Sequence, residues 1–382
     1  MKFLMISSYL PSVLNFRGKL LEAIATQGHE VVVIAPNHAD FPEQVTALTQ
    51  LGYTVLEVPM QRTGTNPLAD LNTLFALYRV IRRVQPDMVL SYTIKPVIYG
   101  TWAAWLARVP QRFALITGLG YAFQRGEGQA KSLFQRAVHG LYKKALTYSD
   151  KVFFQNPDDL ALFRHMNLIE RNKPAVVVNG SGVDLAKFDQ VELPRQTNGQ
   201  PKVAFLLIAR LLGDKGVREY AAAAAKIKVT HPEIEFHLVG WIDQNPSAID
   251  QKELDQWVQE QRVTYWGKLK DVRPAIAATS VYVLPSYREG TPRTVLEAMA
   301  MGRAVITTDA PGCRETVIEG ENGYLVAVKS VDALVNAMQQ CIDQPARVED
   351  MGQRSREIAL TKYDVHRVNA HMLTEMGVKP SC

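Results

Sequence analysis

The chain has 382 residues, of which 47% are hydrophobic and 21% charged, so it can bury a sizeable core, and a disordered or fibrous protein is excluded. At roughly 100 to 200 residues per domain, this length predicts two domains. The net charge of +5 resides in the first half, because residues 1–190 hold 20 Lys and Arg against 14 Asp and Glu, and residues 191–382 hold 23 against 24. An excess this small is ordinary for an enzyme, and we expect no nucleic-acid partner.

Cysteine usage and hydropathy indicate the compartment. Cys313, Cys341 and Cys382 are odd in number and lack CxxC spacing, which argues against a disulfide framework and a zinc site. The apolar start ends at Pro11 without the pattern of a secretory signal, and no later run supplies the roughly 18 apolar residues of a spanning helix. We therefore expect a cytoplasmic protein that is soluble or peripheral to a membrane.

Short runs rich in β-branched and aromatic residues alternate with helical patterns along the first half of the chain, which predicts parallel strands joined by helices. The predicted strands are Lys2–Ser7, Glu30–Ala35, Thr54–Val58, Asp87–Ser91, Arg112–Ile116, Lys151–Gln155 and Ala175–Val178. A polar stretch with one Pro and one Gly, Asp189–Gln200, follows, and we interpret it as a linker between domains 1–188 and 201–361.

The alternation restarts after this stretch. Strands are predicted at Lys202–Ala209, Glu235–Val239, Arg262–Trp266, Ser280–Leu284 and Ala304–Thr308. The sequence thus predicts an α/β protein with two doubly wound Rossmann-like domains. Ligands of such sheets bind beyond the carboxyl ends of the strands, so we expect the site in a cleft between facing domains.

Two cations follow the first strand of the second half. The apolar run ending at Ala209 leads directly into Arg210, and Lys215 comes five positions later on a loop that contains Gly213 and Gly216. A leaving nucleoside diphosphate develops negative charge, which fixed cations stabilise in the transition state. The alternative is that both side chains belong to a solvated loop.

A second loop follows the predicted strand at Ser280–Leu284. Thr291 is a suitable N-cap with Pro292 at the first helical position, and Gly302 ends the helix. The backbone N–H groups of Gly290 and Thr291 would then lie at a helix N-terminus, where partial positive charge favours a diphosphate.

Two carboxylates flank that helix start. Glu297 lies among Leu296, Ala298 and Met299, an unusual place for a solvated charge, and its carboxylate can accept hydrogen bonds from ribose hydroxyls. Glu289 can reach sugar hydroxyls on the other side of the phosphates. The alternative is that Glu289 is an ordinary loop residue and that Glu297 lies on an exposed helix face.

Taken together, Arg210 with Lys215, the Glu289–Glu297 pair and the run EGTPRTVLEAMAMGRAVITTDAPGCRE resemble family 4 of the retaining glycosyltransferases, over nearly the whole chain. This resemblance implies the GT-B architecture, with Arg210 and Lys215 on the donor diphosphate, Glu289 on the sugar and Glu297 on the ribose. It also implies that residues 362–382 return toward the first domain. The donor-binding residues it implies are Glu297, Gly290, Thr291, Pro292, Arg293 and Thr294.

The first half carries segments of one branch of that family. Phe16–Gly18 (FRG), Ser91–Gly100 (SYTIKPVIYG) and Ile116–Phe123 (ITGLGYAF) resemble enzymes that extend undecaprenyl-diphosphate-linked sugars, including bacillosamine-directed N-acetylgalactosaminyltransferases. The resemblance implies a UDP-hexose or UDP-N-acetylhexosamine donor and a lipid-diphosphate-linked sugar acceptor. The implied process is assembly of O-antigen, capsule or protein-linked glycan at the cytoplasmic face of the inner membrane.

Three strand-to-helix loops of the first half are candidates for the acceptor site, because they lie at one edge of the predicted sheet. The candidate residues are Asn15, Arg17 and Gly18, then Thr93 and Lys95, and finally Thr117 and Gly118. For each, the alternative is an ordinary turn. Many family 4 enzymes carry a histidine at the position of Thr117-Gly118, so backbone groups of Gly118 to Gly120 would have to replace it.

The stretch Lys131–Tyr148 is a candidate for membrane contact. Its apolar residues recur at helical spacing with Lys and Arg among them, as in a basic helix that lies on anionic lipid. The alternative is that its apolar stripe packs on the domain core.

The sequence favours chemistry without a metal or other cofactor. No aspartates are spaced as DxD, and the paired glycines lack the third glycine of a dinucleotide fingerprint. No side chain stands out as a nucleophile, so we expect front-face attack with retention, in which the leaving phosphate takes the acceptor proton. A UDP-sugar epimerase on the same fold and a catalytically silent scaffold are the alternatives. Presence of all four donor residues argues against the scaffold.

Overall fold

A computed structural model describes residues 1–61, 66–119, 123, 133–243, 245 and 247–379. The chain divides into two compact units, Met1–Ser181 with Val368–Cys382, and Gly182–Arg367. The stretch Asp189–Gln200, which we interpreted as the linker, belongs to the second unit. Gly120, expected to replace the family histidine, and Lys131, expected to begin the membrane-contact helix, lie outside the described residues.

The first unit contains a parallel sheet in the order β3-β2-β1-β4-β5-β6-β7. Its strands are β1 (Lys2–Ile6), β2 (Glu30–Ala35), β3 (Thr54–Glu57), β4 (Met88–Tyr92), β5 (Gln111–Ile116), β6 (Lys151–Phe154) and β7 (Ala175–Val177). Alternate residues of β1 enter different core clusters, with Leu4 and Ile6 on one side of the sheet and Phe3 and Met5 on the other. Burial on both faces explains why the strand is a continuous apolar run.

Helices cover both faces of this sheet. They are α1 (Leu10–Ser12), α2 (Gly18–Thr26), α3 (Pro42–Gln50), α4 (Pro67–Val84), α5 (Thr101–Leu106), α6 (Leu133–Thr147) and α7 (Pro157–His165), with π-helical turns at Val13–Arg17 and Pro96–Gly100 and a 3₁₀ turn at His38–Asp40. The side chain of Asn66 caps α4, and that of Asn156 caps α7.

The second unit repeats the architecture, with strand order β10-β9-β8-β11-β12-β13. Its strands are β8 (Ala204–Ile208), β9 (Glu235–Val239), β10 (Thr264–Tyr265), β11 (Val281–Leu284), β12 (Ala304–Thr308) and β13 (Gly323–Val326). Its helices are α8 (Val217–Thr230), α9 (Gln251–Gln259), α10 (Arg273–Ala277), α11 (Arg293–Ala300), α12 (Val331–Asp343) and α13 (Pro345–Ile358), followed by a π-helical turn at Ala359–Tyr363 and by α14 (Val365–Met376), which continues into the first unit. The predicted α/β class with two doubly wound domains is confirmed.

All twelve predicted strands form, with ends within two residues of those predicted. β13 was not predicted, because a four-residue run that begins with glycine carries little pattern. Gly323 lies so close to β12 that a Cβ atom there would be 1.7 Å from the carbonyl oxygen of Val305. The strand therefore depends on a tertiary contact that only glycine permits.

The helix predicted at Lys131–Tyr148 forms as α6 (Leu133–Thr147), and several of its described apolar residues face the core. Tyr142, Ala145 and Leu146 are buried, and Leu141 packs against the same core cluster. Packing on the core, the alternative to lipid contact, accounts for Leu141, Tyr142, Ala145 and Leu146, whereas Ala137 is exposed.

In both sheets, successive strands are first added on one side of the first strand and later strands are added on its other side. The switch point lies between β1 and β4 in the first unit and between β8 and β11 in the second. Sheets of this kind bind ligands in the crevice beyond the carboxyl ends of these strands. The loops that follow these four strands carry most of the predicted site residues.

Candidate active site

A glycine allows the loops after β8 and β11 to approach each other closely. Gly216 has φ of 72° and precedes α8, and a Cβ atom there would lie 2.2 Å from the carbonyl oxygen of Pro285. A side chain is thus excluded both by backbone conformation and by space. Lys215, the preceding residue, is brought to the segment that carries Glu289.

Lys215 and Glu289 form an ion pair. The Lys215 Nζ atom lies 2.5 Å from Glu289 Oε1, and both side chains are largely buried. The Ser286 hydroxyl also donates to Glu289 Oε1, over 2.8 Å. The backbone N–H of Tyr287 donates to the carbonyl of Asp214 over 2.9 Å, which fixes the two loops to each other. The predicted site residues Lys215 and Glu289 are therefore adjacent in the structure.

The backbone of Glu289 is positioned by the loop after β12. Its N–H donates to the carbonyl of Pro311 over 2.9 Å. Gly312 has φ of 81°, and a Cβ atom on it would lie only 2.2 Å from the carbonyl oxygen of Glu289. The PGC part of the sequence motif thus acts through close backbone approach.

Arg210 makes an ion pair that sequence reasoning missed. Its Nη1 atom lies 2.9 Å from Asp243 Oδ2, and about a third of the Arg210 side chain is exposed. Asp243 follows β9, the neighbour of β8 in the sheet, so strand adjacency was the available signal. Asp243 holds the guanidinium at the carboxyl edge of the sheet.

The start of α11 differs from the prediction. The helix begins at Arg293, and its N-cap is Pro292, which has an extended backbone and provides no side-chain cap, so the expected Thr291 cap with Pro292 inside the helix was wrong. A proline N-terminal to the helix still removes a donor that would have lacked a partner. The predicted end is confirmed, because Gly302 has φ of 80° and the N–H groups of Gly302 and Arg303 bond to Met299 and Ala298 in a Schellman motif.

Glu297 is a buried carboxylate on α11. It is 7% exposed, so the alternative of a solvated helix face is excluded. Burial raises the pKa of Glu297, while Arg293, whose Nε lies 2.9 Å from Glu297 Oε1, opposes that shift.

The other predicted donor-binding residues lie just before Glu297. The hydroxyl of buried Tyr282 donates to the hydroxyl of Thr294 over 2.6 Å. Gly290 is also buried and Thr291 partly so, which leaves a compact polar segment beyond β11.

In the first unit, Arg17 lies inside the protein. It ends a π-helical turn, is 2% exposed, and its guanidinium carbon lies 5.8 Å from the ring centroid of Tyr92. The Tyr92 hydroxyl in turn contacts Ser7 and Ser12, over 2.9 and 2.7 Å. Asn15 is exposed and Gly18 begins α2, so the three predicted residues of this loop differ in accessibility.

Lys95 belongs to a three-residue cluster. Its Nζ atom lies 2.6 Å from Asp70 Oδ1, and the Tyr99 hydroxyl donates to Asp70 Oδ2 over 2.9 Å. Burial, followed by the hydrogen bond to Asp70, raises the pKa of Tyr99, so it remains a donor at neutral pH. Asp70 lies on α4, 25 residues before Lys95, and sequence spacing offered no signal for it.

The remaining predicted acceptor residues lie on neighbouring loops. Thr93 has φ of 70°, and its hydroxyl lies 2.8 Å from that of Ser8, so the loops after β1 and β4 are bonded together. Thr117 is partly buried and Gly118 exposed after β5. Among the described residues, no atom lies within 4 Å of where a Cβ of Gly118 would stand, so this glycine borders open space there.

Comparisons with known proteins decide the family. Residues 16–180 match the glycosyl transferase 4-like domain, and residues 202–344 match the family described as glycosyl transferases group 1. The chain is 31% identical over 331 residues to the N,N'-diacetylbacillosaminyl-diphospho-undecaprenol alpha-1,3-N-acetylgalactosaminyltransferase of Campylobacter jejuni, covering 85% of this chain and 84% of the relative. The chain belongs to the group 1 glycosyl transferases.

Other relatives of this glycosyltransferase agree with that assignment. It is 26% identical over 294 residues to the UDP-Gal:alpha-D-GlcNAc-diphosphoundecaprenol alpha-1,3-galactosyltransferase of Escherichia coli, covering 75% of this chain and 74% of that enzyme. The family resemblance inferred from the sequence, including its undecaprenyl branch, is confirmed.

Solved structures support the GT-B fold of the glycosyltransferase. Sucrose-phosphate synthase of Thermosynechococcus elongatus aligns with a TM-score of 0.78 at 21% identity, over 98% of both chains. HepE of Anabaena, solved in complex with UDP, aligns with a TM-score of 0.74 at 20% identity, over 99% of this chain and 100% of HepE. Identities this low establish the shared fold alone.

Two further features of the described residues bear on the glycosyltransferase. In that part of the chain, no three His, Cys, Asp or Glu side chains are grouped in a way that could hold a metal ion. None of the described helices combines the length and the apolar character needed to cross a bilayer.

Proposed function

We propose that this glycosyltransferase moves a hexose or N-acetylhexosamine, with GalNAc, GlcNAc and Gal as the candidates, from a UDP-sugar to an undecaprenyl-diphosphate-linked saccharide, with retention at the anomeric carbon. The observation that carries the proposal is the Lys215–Glu289 pair, with buried Glu297 on the helix that follows, at the switch point of the second sheet. A dinucleotide site is disfavoured because the paired glycines of the sequence lack the third glycine of that fingerprint.

The donor roles follow from the chemistry of each side chain. Arg210 and Lys215 bind the diphosphate and stabilise the charge that grows on the β-phosphate as the glycosidic bond breaks. Glu289 accepts hydrogen bonds from sugar hydroxyls, and Glu297 accepts them from the ribose. The segment Gly290–Thr294 contributes backbone donors and the start of α11.

Retention then proceeds without an enzymic nucleophile. The acceptor hydroxyl attacks the anomeric carbon from the same face as that from which the leaving group departs, and its proton passes to the departing phosphate oxygen. The new C–O bond forms as the bond to UDP breaks, so UDP leaves with that proton. Fixed cations lower the barrier because they stabilise the negative charge on the departing diphosphate more strongly in the transition state than in the bound donor.

The acceptor assignment rests on the first unit and on the relatives. The Campylobacter and Escherichia relatives are both named for sugars on diphospho-undecaprenol. Lys95, Arg17 and the Thr117-Gly118 turn are the groups that we assign to the acceptor, with the acceptor-binding role in residues 1–188 and the donor-binding role in residues 201–361. We further propose that the enzyme acts peripherally at the cytoplasmic face of the inner membrane, in O-antigen, capsule or protein-glycan assembly.

A panel of UDP-sugars tests this proposal. Each is incubated with an undecaprenyl-diphosphate monosaccharide, and UDP release and the product's anomeric configuration are measured. We expect transfer with retention from at least one UDP-hexose or UDP-N-acetylhexosamine. Isomerisation of a UDP-sugar without acceptor would support the epimerase instead, and transfer to water-soluble acceptors but never to the lipid-linked one would refute the acceptor class.

A further inference from the structure

Helix α4 exposes an apolar stripe. Leu68, Leu71 and Phe75 are 78%, 61% and 51% exposed, and their spacing of three and four residues places them on one face. The other face of the helix is buried through Thr73, Leu77 and Ile81. Single exposed leucines are ordinary, but three large apolar residues along one helix face indicate a contact surface.

In the C-terminal half of α4, the same exposed face carries basic residues instead of apolar ones. Arg79, Arg82 and Arg83 continue the spacing and are exposed, and the Arg79 guanidinium carbon lies 4.3 Å from the ring centroid of Phe75. Asp70 is the one acidic residue in the sequence of α4, and it is largely buried against Lys95 and Tyr99. The exposed face of α4 therefore carries apolar surface and positive charge, and the helix itself supplies no exposed carboxylate to offset that charge.

Neighbouring helices extend this face. Residues of α4, α5 and α6 enter one core cluster, so the three helices cover the same side of the first sheet. Trp105 and Leu106 are exposed at the end of α5, and Lys143 and Lys144 are exposed on α6. The sequences of α5 and α6 contain no Asp or Glu. Basic residues and aromatic or aliphatic side chains thus recur across the layer.

The apolar half of the stripe lies at the same end of α4 as Asp70, the partner of the candidate acceptor residue Lys95. Leu68 and Leu71 flank Asp70 on α4, and Asp70 bonds to Lys95 after β4. A substrate whose sugar diphosphate reaches Lys95 while its lipid stays in a bilayer would place that bilayer close to this end of α4.

We propose that the stripe of Leu68, Leu71, Phe75, Arg79, Arg82 and Arg83 docks on an anionic lipid bilayer and presents the acceptor site to its lipid-linked substrate. The inference deepens the proposed function and rests on it for the nature of that substrate. Apolar side chains enter the boundary of the acyl chains while the arginines bind anionic headgroups. Contact with a second copy of the same face is the competing outcome, and the oligomeric state of the variants below distinguishes it.

Binding to vesicles without acceptor tests docking apart from catalysis. The full chain is sedimented with vesicles of phosphatidylglycerol and phosphatidylethanolamine, and separately with neutral phosphatidylcholine vesicles. We compare the wild type with L68S/L71S/F75S and with R79Q/R82Q/R83Q. The control V229S/V258S/I318S removes three exposed apolar side chains from the second unit without changing charge.

The wild type and the control should bind anionic vesicles equally and neutral vesicles weakly. The apolar variant should bind at least tenfold more weakly. Since each basic residue near an anionic surface contributes about a fivefold gain in binding, the arginine variant should lose roughly 100-fold at low salt. Circular dichroism should show unchanged folding, because the replaced side chains are exposed.

Several results would overturn the proposal. Undiminished vesicle binding by the apolar variant, or no binding by the wild type, would refute docking through α4. A change from dimer to monomer in the apolar variant, measured by light scattering, would make this face a protein interface instead. Because these vesicles lack acceptor and donor, a wrong assignment of the sugar transfer would leave the binding results unchanged.

Discussion

The Nζ atom of Lys215 lies 2.5 Å from Oε1 of Glu289, although 74 positions separate the two residues in the chain. The contact joins the loop after β8 to the loop after β11, the two strands that flank the switch point of the second sheet. It brings the group proposed for the diphosphate and the group proposed for the sugar to one place.

Removal of either proposed phosphate cation should impair catalysis. Lys215→Ala and Arg210→Ala are each expected to lower kcat by about 10² or more, the scale for loss of one transition-state charge contact. Lys226→Ala is the control, because Lys226 is an exposed lysine of α8 that pairs with Asp332. Near-normal turnover in either site variant, with Lys226→Ala also normal, would show that the replaced cation does not stabilise the leaving diphosphate.

The two glutamates should divide the donor between them. Glu297→Gln is expected to weaken UDP and UDP-sugar alike, because both contain the ribose and a charged hydrogen bond contributes about 1.5 to 3 kcal/mol. Glu289→Gln should lower turnover without weakening UDP, since its contact requires the sugar. Calorimetric titration of UDP and steady-state kinetics provide the comparison. Loss of UDP affinity in Glu289→Gln but not in Glu297→Gln would reverse the roles.

Burial of Glu297 predicts a pH-dependent effect on stability. Its pKa is raised in the folded protein, so the ionised carboxylate penalises folding in full above that raised pKa, and the penalty disappears as the pH falls below the unfolded value of about 4.3. Glu297→Gln should therefore have a higher Tm than the wild type at pH 7, with the difference lost near pH 4. A lower Tm at pH 7 would identify the carboxylate as a structural partner of Arg293 rather than a group kept for ligand binding.

Lys95 should affect the acceptor alone. Lys95→Gln is expected to raise the KM for the lipid-linked acceptor by about tenfold, the scale of one charged hydrogen bond, and to leave the KM for the UDP-sugar unchanged. Lys2→Gln is the control. Lys2 lies at the start of β1, whereas Lys95 follows the carboxyl end of β4, and Lys2 pairs with Glu30. Equal changes in both KM values would indicate a general structural effect of breaking the contact with Asp70.

Chelation should leave activity largely intact. The chain lacks DxD spacing, and Arg210, Lys215 and the start of α11 can neutralise the diphosphate in place of a metal. Rates with and without EDTA, after dialysis against the chelator, measure this directly. An absolute requirement for added Mg²⁺ or Mn²⁺ would contradict the metal-free assignment.

Local pattern was sufficient for most of the strands. Alternating runs predicted twelve strands, and the apolar neighbours of Glu297 favoured a buried carboxylate, but only the structure excluded the exposed helix face. The sequence could do this because burial on both faces of a parallel sheet, and the residue types needed to bind a diphosphate, are properties of short segments.

Tertiary structure alone decided which side chains meet and which faces remain exposed. Asp243 beside Arg210 and Asp70 beside Lys95 depend on strand order and on the placement of α4, neither of which is encoded in the spacing of the residues concerned. Both α4 and α6 contain apolar and basic residues. α6 packs Leu141, Tyr142, Ala145 and Leu146 inward, whereas α4 has large apolar residues on two faces and can bury only one of them. Periodicity reports that a face is apolar, but the packing of the neighbouring elements determines whether water reaches it.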